Sequence, residues 1–166
     1  MKKIACILLV ALMLSFMIVG CAEQLPEPEI TKGEFDFTVT YEYKGETKTV
    51  SGVYVCEYEG THVSLDGGSQ RDWKGYIKGG QMEDSIYLGT AKDGGEIYLE
   101  LDFYPEFFMG DPRTGGRGAS SPWISVTLKN GEGVRFLDDA ATVYELYGVR
   151  IISYDYDEPI QNTFKL

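Results

Sequence analysis

Apolar and polar residues alternate strictly between positions 35 and 43, and this pattern restricts the possible fold more than any other feature. Phe35, Phe37, Val39, Tyr41 and Tyr43 occupy the odd positions, with acidic residues and threonines between them. A period of two places all five on one face of a β-strand and does not fit the 3.6-residue period of a helix. The segment is therefore predicted to be a strand with one buried and one solvated face.

Further strand patterns follow this segment at close spacing. A turn at 44–46 joins it to the next predicted strand, as in an antiparallel hairpin. The other predicted strands, mostly bounded by glycine-rich turns, are 47–58, 73–78, 85–90, 96–103, 123–128, 134–137 and 149–156. Short strands about ten residues apart are typical of all-β sandwiches and barrels. The fold is therefore predicted to be mainly β, an antiparallel β-sandwich or barrel-like sheet.

Two segments near the C-terminus depart from this rhythm. Residues 138–148 begin with Asp138, a candidate N-cap, carry apolar residues at helical spacing, and end at Gly148. This pattern predicts one short helix. Residues 160–166 follow Pro159 and are predicted to be an edge strand or a loose tail.

The N-terminus has the pattern of an export signal. Lys2 and Lys3 precede an apolar run of sixteen residues, 4–19, and the polar stretch 23–29 follows. Signal-peptide apolar regions are about 7–15 residues long, whereas a spanning helix needs about 20. Together with the flanking charges, this length favours a signal peptide over 1–20. An uncleaved N-terminal membrane helix is the alternative.

The residues that end the apolar run, Ile18-Val19-Gly20-Cys21, resemble the lipobox of bacterial lipoproteins. In that family an aliphatic residue, a small or β-branched residue and Gly or Ala precede an obligatory cysteine. The resemblance implies that Cys21 is acylated and becomes the first residue of the mature chain. It therefore implies a lipid anchor in the cell membrane and an extracytoplasmic domain, with the outer membrane as a further location where one exists.

The remainder divides into a tether and one domain. Residues 21–33 alternate proline with glutamate and carry little to bury, so they are predicted to be an extended, solvated tether behind the lipidated cysteine. Residues 34–166 are predicted to form a single β-rich extracytoplasmic domain. In its general character the chain resembles small surface lipoproteins of bacteria, a resemblance that implies location and anchoring but no mechanism.

The charge balance excludes some partners. The chain has 15 basic and 26 acidic residues, and removing Lys2 and Lys3 leaves 13 basic residues, a net charge of −13. Nucleic-acid binding requires clustered basic residues, so no nucleic acid is predicted as a partner. Docking of the protein surface on anionic lipid is disfavoured for the same reason. An envelope protein or a glycan remains open.

The cysteines and the single histidine limit the chemistry. Cys6 leaves with the signal peptide and Cys21 takes the lipid, so Cys56 stands alone. Cys56 is predicted to be a small buried apolar residue, and a thiolate activated by His62 is the alternative. Zinc requires several His or Cys ligands, and no EF-hand spacing is present. No catalytic residue, metal site or cofactor is predicted.

Two features suggest binding. The loop 104–121 is long and glycine-rich, and Phe107, Phe108, Arg113 and Arg117 are its candidate binding residues. The alternative is that the phenylalanines pack beneath a slack loop. Separately, Trp73, Tyr76 and Tyr87 are compatible with an aromatic platform for sugars, although cross-strand packing explains the same residues. The sequence therefore offers a few candidate binding residues and no set of catalytic residues.

Three functional hypotheses follow. The first is a non-enzymatic binding or interaction module displayed on the membrane, because the sequence has aromatic strands and a long loop but no nucleophile–base set. The second is a hydrolase of envelope carbohydrate that uses paired carboxylates, with Asp155, Asp157 and Glu158 as candidates. For these residues a solvated acidic face is the simpler interpretation. The third is a structural envelope spacer.

Overall fold

The computed structural model describes residues 25–63, 68–80, 84–112, 118, 121–127, 134–136 and 140–164. The predictions for the signal peptide, Cys6, Cys21, Arg113, Arg117 and Asp138 lie outside these residues. The strands are β1 (Lys32–Tyr43), β2 (Glu46–Val63), β3 (Ser69–Ile77), β4 (Ser85–Thr90), β5 (Glu96–Glu100), β6 (Trp123–Thr127), β7 (Val134–Phe136) and β8 (Val149–Tyr156). The helices are α1 (Pro105–Phe108) and α2 (Ala140–Tyr147).

Within the described residues, the strands form two four-stranded sheets, in the orders β3-β2-β1-β8 and β4-β5-β6-β7. Every neighbouring pair is antiparallel. One sheet curls into a half-barrel, and a common hydrophobic core joins side chains of both sheets. The predicted mainly β, sandwich-like fold is confirmed.

Strand β1 supplies the centre of that core through its alternating pattern. Phe35, Phe37 and Val39 are at most 3% exposed, and Tyr41 and Tyr43 are at most 8% exposed. Burying a side chain of the size of valine or phenylalanine contributes about 1.5–3 kcal/mol. On the opposite face, Thr38 and Thr40 form hydroxyl hydrogen bonds with β2. The two faces therefore divide as the period of two predicts.

The β1–β2 hairpin turns through two residues. Tyr43 pairs with Glu46, and the residues between them have positive φ, 54° at Lys44 and 82° at Gly45. Two consecutive positive φ values characterise the type I′ turn, whose twist matches that of paired strands. The sequence predicted a turn here, and the second strand begins at its last residue.

The C-terminal helix is confirmed as α2, while the short helix α1 lies where the sequence analysis assigned only loop. Pro105 occupies the first turn of α1, where its missing N–H and fixed φ are tolerated. Within the described part of 160–166, the only β pairing is an isolated bridge between Pro28 and Phe164. The segment is nevertheless held by hydrogen bonds to residues 29–30 and to Phe108, so it is neither a regular edge strand nor a loose tail.

Residues 25–31 differ from the predicted solvated tether, because they pack on the domain. Leu25 is 4% exposed and Pro28 is fully buried. The backbone N–H of Glu29 donates to Thr163 O at 2.8 Å, and that of Ile30 donates to Asn162 Oδ1 at 3.0 Å. Prolines lack a donor but still offer carbonyl acceptors and apolar rings, so this segment pairs with the C-terminal tail. The described chain is therefore folded from Leu25 onwards.

Candidate functional site

The first part of the loop 104–121 belongs to the core. Phe108 is 0% exposed, and its ring centroid lies 4.9 Å from that of Phe35 and 5.8 Å from that of Tyr54. Phe107 is partly exposed and packs edge-on against Phe108 at 5.4 Å. Of the four candidate binding residues, Phe108 is thus a core residue, Phe107 borders the core, and Arg113 and Arg117 lie outside the described residues.

A buried ion pair between Arg71 and Asp111 fixes the same loop. Together with the residues that contact this pair, it is named here the Arg71 cluster, which consists of Arg71, Asp111, Trp73, Pro26 and Phe164. Arg71 Nη1 donates to Asp111 Oδ1 at 2.9 Å, and Trp73 Nε1 donates to Asp111 Oδ2 at 3.0 Å. The side chains of Arg71 and Asp111 are 4% and 3% exposed. Arg71 Nε also donates to Pro26 O at 2.8 Å, and its guanidinium lies 4.1 Å from the centre of the Phe164 ring. The cluster joins both ends of the described chain to β3.

At the opposite end of β3 lies an open groove with a volume of about 690 Å³. Its lining combines two tyrosine rings, aliphatic side chains, one hydroxyl and one carboxylate, namely Tyr87, Tyr98, Ile77, Ile86, Ser85 and Glu96. The turn at Gly79-Gly80, directly after β3, completes the lining. Ligand sites in proteins are concave, largely apolar and about 300–1,000 Å³ in volume. We therefore take this groove as the candidate site.

Its two tyrosine rings belong to neighbouring strands. Tyr87 of β4 pairs directly with Tyr98 of β5, and their rings meet edge-to-face with centroids 5.7 Å apart at 64°. The pairing of β4 with β5 shifts register between Tyr87 and Gly89, so the strand is irregular directly after Tyr87. Tyr87 nevertheless remains 52% exposed. An aromatic ring held by its cross-strand partner offers a fixed apolar surface to solvent.

Hydrogen bonds orient the polar groups of the groove. The Tyr98 hydroxyl donates to Glu96 Oε2 at 2.7 Å, and this bond is the main reason that the pKa of Tyr98 is raised. The hydroxyls of Tyr87 and Thr90 share a hydrogen bond of 2.8 Å. Ser85 donates to Glu100, a carboxylate that also accepts a hydrogen bond from Ser125. Glu100 does not line the groove, and among the described residues Glu96 is the carboxylate that does.

The three aromatic residues predicted to form a platform are separated in the structure. Trp73 packs against the core and donates to Asp111, whereas Tyr76 donates to Glu57 at 3.0 Å. Only Tyr87 of the three lines the groove. Its actual partner, Tyr98, was missed, although pairing 85–90 with 96–103 across the glycine turn at 94–95 was a signal for it.

The carboxylates considered for hydrolysis lie elsewhere. Asp155, Asp157 and Glu158 are all exposed, and none of them lines the groove. Asp157 Oδ2 accepts a hydrogen bond of 2.9 Å from the backbone N–H of Asp36, so it ties the end of β8 to β1. Within the described ranges, no group of three or more His, Cys, Asp or Glu side chains is placed to hold a metal ion.

Cys56 and His62 do not form a reactive pair. Cys56 is 0% exposed, and burial raises the pKa of its thiol to about 12. His62 lies on the same strand six residues further on, roughly 20 Å away at about 3.3 Å per residue. Its Nδ1 is 2.7 Å from Asp72 Oδ1, and both side chains are exposed. Cys56 is thus the buried residue that the sequence predicted.

A second groove, of about 420 Å³, is more polar than the first. Tyr54 and Phe103 line it together with the charged residues Glu59, Lys74 and Asp84. The Tyr54 hydroxyl donates to Phe103 O at 3.0 Å in a buried hydrogen bond. Its third aromatic residue, Trp73, is partly buried and packs against the core, while Tyr54 and Phe103 are buried, so none of the three offers a ring as exposed as Tyr87.

Comparison of the chain with protein-family models, with curated proteins and with solved structures gives no match. None of the helices in the described part of the chain has the length and apolar character needed to cross a bilayer.

Proposed function

We propose that this protein is a lipid-anchored extracytoplasmic binding module whose ligand site is the groove formed by β3, β4 and β5. The observation that carries the proposal is Tyr87, an aromatic ring that stays 52% exposed within a concave site while a cross-strand partner fixes its position. An exposed, oriented aromatic ring in a concave site is typical of recognition surfaces.

The lipobox resemblance supplies the anchor in this proposal. Leu25 is the fourth residue after Cys21, a distance of at most about 14 Å for extended chain. Pro26 binds Arg71 near the start of β3, whereas Ile77 lines the groove at its end, roughly 20 Å away for six residues of strand. A lipid on Cys21 would thus hold the Arg71 cluster near the membrane and present the groove away from it.

Site-specific photo-crosslinking in intact cells tests the binding site. A photoreactive phenylalanine derivative at position 87, which keeps an aromatic ring there, is expected to yield a defined adduct with an envelope component. The matched control carries the same group at position 63, because Val63 is 55% exposed and lies outside the groove. Adducts of equal yield at both positions, or at neither, would contradict the groove as the site, and the second result would favour a spacer.

A further inference from the structure

We propose that the groove binds a neutral glycan, with a pyranose ring stacked on Tyr87 and sugar hydroxyls hydrogen-bonded to Glu96. This inference rests on the proposed binding function and assigns its ligand class. It depends on three features of the lining: an exposed aromatic face, a carboxylate with an available oxygen, and the absence of basic side chains among the described lining residues.

The aromatic face matches one side of a sugar ring. A pyranose with mostly equatorial hydroxyls presents its C–H groups on a flat apolar face, which stacks on an aromatic ring. Tyr87 offers such a ring, and the edge-to-face contact with Tyr98 limits its movement. Ile77 and Ile86, which also pack against the core, supply the other apolar part of the lining. Since the groove is open to solvent, the proposed ligand includes chains of linked sugars as well as single rings.

Glu96 supplies the polar contact beside that face. Its Oε2 accepts the hydrogen bond from Tyr98, whereas Oε1 has no hydrogen-bond donor among the described residues. An ionised carboxylate has about four acceptor sites and no donor. Adjacent sugar hydroxyls are donors that can share the free oxygen. The Tyr98 bond holds the carboxylate in place before the sugar binds.

The charge of the groove distinguishes a neutral glycan from other ligands. The lining contains Glu96 and no lysine or arginine among the described residues, and the chain carries a net charge of −11, so anionic sugars and phosphates are disfavoured. Cages for quaternary ammonium groups enclose the cation with aromatic rings. Here two rings tilted at 64° form an open platform. The geometry therefore favours a sugar face over a cation.

The groove is expected to bind a glycan without cleaving it, because of the number of carboxylates in its lining. Glycoside hydrolysis in most families needs two carboxylates about 5–10 Å apart across the bond. Glu96 is the one carboxylate among the described residues that line the groove. A glycan incubated with the protein is accordingly expected to be recovered intact.

Calorimetric titration of the full-length lipidated protein in detergent micelles tests the proposal. The probes are the tetramers of β-1,4-linked glucose and N-acetylglucosamine, which are neutral, and tetragalacturonate, which is anionic. We expect at least one neutral tetramer to bind and the anionic one to bind at least tenfold more weakly. Tyr87→Ala and Glu96→Ala should each weaken binding about tenfold. Tyr144→Ala is the matched control, since Tyr144 is 38% exposed and contacts Glu42 instead.

Three outcomes overturn the glycan inference: no heat with either neutral tetramer, unchanged affinity in both groove variants, or displacement of the tetramer by tetramethylammonium. Crosslinking from position 87 separates this failure from failure of the proposed function. A groove-specific adduct with an envelope protein would keep the binding module and reject the glycan.

Discussion

At the residue scale, the Tyr54 hydroxyl shows how one buried polar group determines its neighbours. It donates to Phe103 O, which lies three residues after the end of β5, and a Cβ added at Gly75 would lie 1.8 Å from it. Gly75 is therefore required by close approach and not by backbone conformation. Tyr54, Gly75 and Phe103 specify one another although they lie in different segments of the chain.

Replacing Tyr54 with phenylalanine is expected to lower the free energy of unfolding by about 1–3 kcal/mol, because the buried carbonyl of Phe103 loses its donor. Urea unfolding followed by circular dichroism measures the change. The matched control is Tyr76→Phe, which removes a hydroxyl from the exposed carboxylate of Glu57 and should cost less. An equal decrease in the free energy of unfolding in the two variants would show that the Tyr54 hydrogen bond stabilises the fold no more than the Tyr76 hydrogen bond does.

At the element scale, the Arg71 cluster connects β3 with the loop after α1 and with both termini of the described chain. Its residues are far apart in sequence, since Asp111 follows Arg71 by 40 positions. A single side chain that is not part of a periodic pattern gives no indication in the sequence of such a distant contact. For the same reason the sequence predicted a solvated tether over residues that in fact pack on the domain.

Replacing Arg71 with methionine is expected to cost about 3–5 kcal/mol, because the buried carboxylate of Asp111 then loses the positive charge that balances it, although Trp73 still donates to it. It should also release the N-terminal segment, so the amide of Glu29 exchanges its hydrogen faster. Hydrogen-exchange mass spectrometry and urea unfolding report the two effects. Lys32→Met, which removes an exposed ion pair with Glu57, is the control and should change stability far less. If the amide of Glu29 stays protected from exchange in this variant, the Arg71 cluster does not hold the N-terminal segment.

Glu42 joins β1 to α2 and β8 through side chains. Tyr144 donates to its Oε1 at 2.6 Å and Arg150 to its Oε2 at 2.6 Å, and these bonds, the tyrosine's first, lower the pKa of Glu42. A lowered folded-state pKa means that the stabilisation is present above the unfolded value of about 4.5 and is lost as the pH falls through the folded value.

Tyr144→Phe is expected to raise the pKa of Glu42 towards its ordinary value and to reduce the acid-dependent part of the stability. Carboxyl NMR titration measures the pKa directly. Tyr76→Phe, which acts on Glu57, should leave Glu42 unchanged. A Glu42 that titrates near 4.5 in the unaltered protein would contradict this account.

At the scale of the whole molecule, the sequence predicted the fold class because period-two patterns and turn residues are local signals. The strands from 35 to 58 and the helix after 138 follow such signals, and the structure confirms them. The groove was only partly predictable. Tyr87 was identified as an aromatic candidate, but its grouping with Tyr98 and Ile77 depends on how β3 meets the other sheet. Contacts between sheets leave no periodic trace in the chain.

We propose above that this domain is a binding module held at the membrane by a lipid on Cys21. Metabolic labelling with radioactive palmitate, combined with membrane fractionation, tests it most directly. We predict that the unaltered protein is labelled and membrane-bound, that Cys21→Ser is neither, and that Cys56→Ala keeps both properties because its thiol is buried. Label that persists in Cys21→Ser would contradict the claim.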